Sequence, residues 1–218
     1  MIELSLKTDF SRGERMLQLL AGRQASYAAA RALNEVARTV TKEINARMGE
    51  TFDRPTTFTQ RAVVAPRALA ATPDNPVAVV TVRPLQAKYL EPEERGGTRT
   101  AASNTRKPGS ALVLPGAAMR LNQFGNIPSG MLRRLAAQAQ RSGGKIAFLP
   151  AGAPGNKAGI GGYFRRGRNH TLNRLSVFEA ATHYAPRFHF HDRVSSIARA
   201  LFPAAFRRAL SEALRTAR

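Results

Sequence analysis

The chain has 218 residues, long enough to bury a core without staples. It holds no cysteine, which excludes a disulfide framework, a thiolate nucleophile and a cysteine-ligated zinc site. Its 34 Lys and Arg against 14 Asp and Glu give a net charge of +20, and a polyanion is the partner class such a balance implies.

"IELSLK", residues 2–7, alternates apolar and polar and reads as a strand, and with acidic residues nearby it is not a signal peptide. From Arg12 to about Met48 apolar residues recur every three or four positions, which predicts one long amphipathic helix. Ser11 with Glu14 has the spacing of a capping box, Gly22 is a place to bend, and Gly49 sits where a stop belongs. "TFDRPTTFTQRAVVAP" is broken by Pro55 and Pro66 and reads as a connector with a short helical or extended piece. "VAVVTVRP", 77–84, is β-branched and uninterrupted, the signature of a central strand. "QAKYL", 86–90, fits a second strand or a short turn of helix.

A Gly, Ser, Thr, Pro and Arg-rich stretch follows, "EPEERGGTRTAASNTRKPGSA", which reads as a long loop. A helix over 129–141 is expected with Ser129 as its cap. "KIAFLP", 145–150, and "LSVFEA", 175–180, read as strands flanking a Gly-rich hairpin with a basic tip. The last helix is predicted from Asp192, as N-cap, to Thr216, kinked at Pro203 because the apolar phase continues through the proline. The layout is α+β: a long N-terminal helix and a kinked C-terminal helix packed on a small, mainly antiparallel sheet. One domain over 1–218 is expected, with extended basic arms at 91–115 and 151–174.

Charge is unevenly placed. From Arg95 to Phe178 there is no acidic residue, while fourteen Lys or Arg fall in the same span. Arg95, Arg99, Arg106, Lys107, Arg165, Arg166, Arg168 and Arg174 are therefore the candidate contacts to nucleic acid, through the phosphate backbone and without sequence preference. Tyr163 and Phe164 beside them are candidates for stacking or for contact with a partner.

Catalytic signals are weak. "GIGGYFRRG" lacks the lysine and hydroxyl of a phosphate loop, and no Gly-x-Ser-x-Gly elbow is present. Glu91, Glu93 and Glu94 crowd together in what reads as a solvated turn. In "PRFHFHDR", 186–193, His189 and His191 share one face if the segment is a strand, with Phe188 and Phe190 on the other. Two imidazoles are not a metal site without further ligands at a recognised spacing, so the segment reads as a strand and cap that dock the last helix. No enzyme, cofactor or metal is expected.

Three stretches carry a resemblance: "AAARALNEVARTVTKEINAR", "KYLEPEERGG" and "HYAPRFHFHDRVSSIARALFPAAFRRALSEALRTAR". In this order they resemble the minor tail protein Z and tail-completion families of tailed bacteriophages, with 95–175 longer and more basic than the family's usual core. The resemblance implies a non-enzymatic virion protein, assembled in the host cytoplasm. It would form part of an oligomeric ring at the head–tail junction and touch portal, adaptor or tail proteins and, through the basic arms, double-stranded DNA. Tyr89, Glu91, Glu94, Tyr163 and Phe164 are its candidate subunit or partner contacts, and no membrane is involved. The alternative is a free, sequence-nonspecific nucleic-acid-binding protein.

Overall fold

In the computed structural model, residues 3–6, 23–100, 111–141, 145–153, 160–168 and 171–216 are described. They belong to two units, one formed by Met1–Arg95 with Pro186–Arg218 and the other by Gly96–Ala185, inserted between them. The fold class is α+β.

In the first unit, strand β1 (Glu3–Leu6) pairs antiparallel with β3 (Ala78–Val82), whose other edge carries β2 (Val63–Val64). The uninterrupted apolar run thus becomes the central strand, with Ala78, Val80 and Val82 almost fully buried. Helix α1 (Arg23–Ala46) follows the predicted period: Ala28, Ala32, Val36, Val40 and Ile44 form one buried stripe over the sheet. Its expected first part, with the Ser11–Glu14 capping box and Gly22, lies outside the described residues. The helix stops at Ala46 rather than Gly49, and Gly49 falls inside a short helix α2 (Met48–Thr51). The proline-bounded connector contains α3 (Thr57–Gln60), capped by Thr56, whose hydroxyl accepts from the Thr59 N–H.

Helix α1 also packs along the C-terminal helix, α6 (Phe190–Thr216), where Ala198, Ala205, Ala209 and Ala213 are buried. Alanines on both helices let the backbones approach closely. Arg31 pairs with Glu212 and Glu35 with Arg208 at 2.9 and 2.7 Å, and the opposite sequence order of the two pairs shows that the helices run antiparallel. These pairs are solvated, so each contributes at most about 1 kcal/mol and the alanine seam carries the packing.

Two asparagines on α1, three turns apart, act as substitute strand edges. The Asn34 amide donates to the Ala71 carbonyl and accepts from its N–H, both at 2.8 Å. Asn45 does the same for Val63 at 2.9 and 3.1 Å. In this way the helix satisfies backbone groups of connector and edge strand that no β-partner reaches.

Helix α4 (Pro84–Arg95) resolves the choice left open for "QAKYL" in favour of helix and continues through Pro92, so Glu91, Glu93 and Glu94 sit on a helix and not in a solvated turn.

In the second unit, β4 (Gly97–Thr100) and β9 (Ala181–Tyr184) form an antiparallel ribbon. A four-stranded antiparallel sheet has the order β5 (Leu112–Pro115), β8 (Leu172–Glu179), β7 (Gly161–Arg166), β6 (Ile146–Leu149). The expected hairpin is thus a three-stranded meander, because "GGYFRR" pairs as a strand of its own between the two predicted ones. Gly162 is required there: a Cβ on it would lie 2.0 Å from the Ser176 carbonyl oxygen. Helix α5 (Met131–Ala139) packs along β6 and buries Leu135. Gly130, with φ of 75°, takes the cap position expected for Ser129. Of the stretch 91–115, Glu91 to Arg95 close α4, and β4 and β5 use most of the remaining described positions.

Candidate nucleic-acid interface

Where the inserted unit leaves and rejoins the first, two of the resemblance-bearing stretches meet. Helix α4 ends in Glu93 and Glu94, and both are committed to the segment that leads into α6. The Glu93 carbonyl accepts the N–H groups of Arg187 and Phe188 at 2.8 and 2.9 Å. Its buried carboxylate is gripped by the Arg187 guanidinium through Nε and Nη2, at 2.5 and 2.9 Å. Such a bidentate pair is among the stronger hydrogen-bonded contacts a protein makes.

Glu94 caps α6 from a distance. One carboxylate oxygen accepts the Phe190 N–H at 2.6 Å, and the other accepts the His191 N–H at 3.2 Å and meets His191 Nδ1 at 2.8 Å. These backbone groups are the orphan donors of the helix's first turn, where the dipole also favours a negative charge. Burial alone pushes the Glu94 carboxyl up, but the Phe190 N–H, the His191 ring and the His191 N–H together outweigh it and hold it below the ordinary glutamate value.

"PRFHFHDR" is therefore not a strand. Phe188 and Phe190 are fully buried, with ring centroids 5.6 Å apart, and Phe188 also meets Phe52. His189, at φ of 48°, turns the chain into α6 in a conformation histidine tolerates better than most side chains. The Arg193 N–H donates to its carbonyl, so the cap position is His189, and Asp192, expected there, lies within the first turn. His191 faces a carboxylate and His189 is exposed. Among the described residues no three His, Asp or Glu are grouped to hold a metal ion.

The candidate partner contacts of the sequence separate accordingly. Glu94 is occupied by the cap. The Tyr89 hydroxyl is 3.0 Å from Thr59 Oγ1, and its pKa is raised by burial, against the opposing effect of that bond. Glu91 stays half-exposed beside Arg95, in an ion pair of 3.7 Å. Phe164 is buried and is not available to a partner, while Tyr163 is only partly covered. Sequence placed Glu93 only in a solvated turn and gave no role to Arg187 or the Phe190 amide; the weak signal was an adjacent acid pair 93 residues before an arginine–aromatic segment.

The basic candidates lie in both units. Arg95 ends α4 in the first unit. Arg99 is on β4, Arg165 and Arg166 are exposed on β7, Arg168 is exposed in the turn after it, and Arg174 is half-buried on β8. Arg106 and Lys107 lie outside the described residues. The inserted unit spans thirteen Lys or Arg and one acid, Glu179. Every carboxylate ion pair among the described residues belongs to the first unit, and none engages Arg99, Arg165, Arg166, Arg168 or Arg174. Guanidiniums without internal counter-charges are disposed to meet an external one.

The first unit also has an open groove of about 580 Å³ lined by Phe58, Arg61, Arg83, Leu85 and Gln86. It offers two guanidiniums and no carboxylate or imidazole. No helix among the described residues is long and apolar enough to cross a membrane. In comparison with known proteins, no family model, no curated protein and no solved structure matches this chain.

Proposed function

We propose that the chain is a non-enzymatic structural protein of the tail-completion type. Its helix-and-sheet unit is the body that meets neighbouring subunits and portal, adaptor or tail proteins in a ring at a head–tail junction. Its inserted unit is the basic element that faces double-stranded DNA. The observation that carries this reading is the division of charge: in the body Arg31, Arg47, Arg54, Arg95, Arg187 and Arg208 pair with carboxylates, whereas none of the described arginines of Gly96–Ala185 does. Contact of that kind is made to phosphates and weakens steeply with salt.

The resemblance supplies the virion context and the charge supplies the polyanion. Light scattering at low and high salt, with and without duplex DNA, tests both parts. A discrete oligomer that persists at high salt, either alone or after addition of a portal-like partner, is the expected result. A strict monomer that only binds and releases DNA with salt favours the second reading, a free sequence-nonspecific nucleic-acid-binding protein, which the same unpaired arginines support.

A further inference from the structure

One face of the four-stranded sheet carries a feature that phosphate contact does not use. Cross-strand pairing places Phe148 opposite Tyr163, Tyr163 opposite Ser176, and Phe178 two residues beyond on β8, so alternation brings all three rings to the same face. Their centroids are 5.3, 5.6 and 5.8 Å apart. The rings are tilted by 60°, 88° and 64°, so none of the three pairs is stacked face to face. Phe148 is 46% exposed, and Tyr163 and Phe178 are only partly covered.

Core aromatics of this small unit behave differently: Phe164, the next residue along β7, points to the opposite face and is 5% exposed. The sheet thus buries one side and leaves an aromatic cluster on the other. Arg165 continues the open face, two residues from Tyr163, with Asn173 as its cross-strand partner. The acid of these strands, Glu179, is adjacent to Phe178 and therefore on the other face, where it accepts from Thr182.

We propose that this face is a stacking platform for single-stranded nucleic acid, with bases on Phe148, Tyr163 and Phe178 and the phosphate backbone on Arg165. The assignment rests on the reading of the inserted unit as the nucleic-acid element and adds a single-strand site to its phosphate contact with duplex. Charge complementarity selects the partner: a cationic face free of carboxylates, with open aromatic rings, matches a polyanion that also carries flat apolar groups. Single strands present both, whereas a duplex keeps its bases stacked internally and offers the platform only phosphates.

The test is fluorescence anisotropy with the full chain and labelled strands of about twenty nucleotides, longer than the ~4–16 that one binding fold covers. Oligothymidine, oligouridine and a duplex of equal length are compared, the first two showing whether DNA or RNA is the preferred source of unstacked bases. Tighter binding of either single strand than of the duplex is expected. Phe148→Leu and Tyr163→Leu should each weaken single-strand binding about tenfold with little change for the duplex, and Tyr163→Phe, which keeps the ring, should restore it.

A second readout uses intrinsic fluorescence, since the chain has four tyrosines and no tryptophan. With Tyr27, Tyr89 and Tyr184 changed to Phe, quenching of Tyr163 by the bound strand reports stacking directly, whatever the leucine variants do to folding. Equal affinity for single strands and duplex, or an unquenched Tyr163 in a saturated complex, overturns the platform and leaves the duplex-contacting ring protein intact. Binding to neither, with no oligomer, removes both readings. Loss of self-association in the leucine variants with single-strand binding retained identifies the rings as a protein contact and also overturns the proposal.

Discussion

Glu94→Gln tests whether the carboxylate at the end of α4 is the working cap of α6. The substitution keeps shape and volume, so no cavity is made and only hydrogen bonding and charge change. An amide oxygen can replace the one that serves the His191 N–H and ring, but the amide NH2 then faces the Phe190 N–H, donor against donor, at a fully buried residue. An unsatisfied buried N–H costs about 1–3 kcal/mol, and loss of a negative charge at a helix N-terminus adds about 0.3–1 kcal/mol, for a total of roughly 1–4 kcal/mol. In a chain of this size each kcal/mol moves the melting temperature by about 2–4 °C, so the midpoint of thermal unfolding followed by circular dichroism should fall by roughly 3–15 °C. Glu91→Gln, one turn earlier and half-exposed, should move it by no more than about 2 °C because its ion pair is solvated. A Glu94→Gln protein that melts with the wild type, or no lower than Glu91→Gln, would refute the cap.

The same carboxylate predicts a pH dependence. Because the folded Glu94 is held below its ordinary value, the unfolded chain takes up the proton first as pH falls; the stabilisation is complete above the ordinary glutamate range and is lost through the lowered folded value. The gap in melting temperature between wild type and Glu94→Gln should therefore be widest near neutrality and close in acid, and a constant gap contradicts the assignment. Asn45→Ala strips both partners from the backbone of Val63, which is buried, and should cost about 2 kcal/mol in urea denaturation with faster amide exchange at Val63. Gly162→Ala forces strands β7 and β8 apart at the Ser176 carbonyl, with an expected loss of about 1–3 kcal/mol read by the same denaturation. Arg166→Gln removes one exposed guanidinium and should lower the slope of log affinity for duplex DNA against log salt by about one, equally for unrelated sequences.

Local periodicity carried the parts of the fold that depend on one segment alone. The stripe of α1, the central position of β3 and the in-phase helix across Pro203 were legible because each is a repeating pattern that buries one face. Errors fell where a distant residue overrides a local signal. Asp192 has the chemistry of an N-cap, yet a carboxylate 96 residues before Phe190 takes the task and lets the helix begin two residues earlier. "PEERGG" has the composition of a turn, but Glu93 and Glu94 are worth more on a helix, where both find cationic or N–H partners on the returning chain. The alternation of Phe188, His189 and Phe190 gave the burial pattern correctly and the strand incorrectly, since an irregular segment with one residue at positive φ produces the same in–out order.

The candidate site divides along the same line. Charge is additive along a chain, so an acid-free block of arginines is visible without any fold, and it coincides with the inserted unit. An aromatic cluster is not additive: Phe148, Tyr163 and Phe178 are separated by fifteen residues at each step, and only strand register puts their rings together. Register also reverses the roles of the adjacent pair, burying Phe164 and exposing Tyr163, which sequence treated alike. A one-residue slip in β7 would exchange the two rings, so the Gly162–Ser176 close approach, which belongs to this register, also decides which ring is left open.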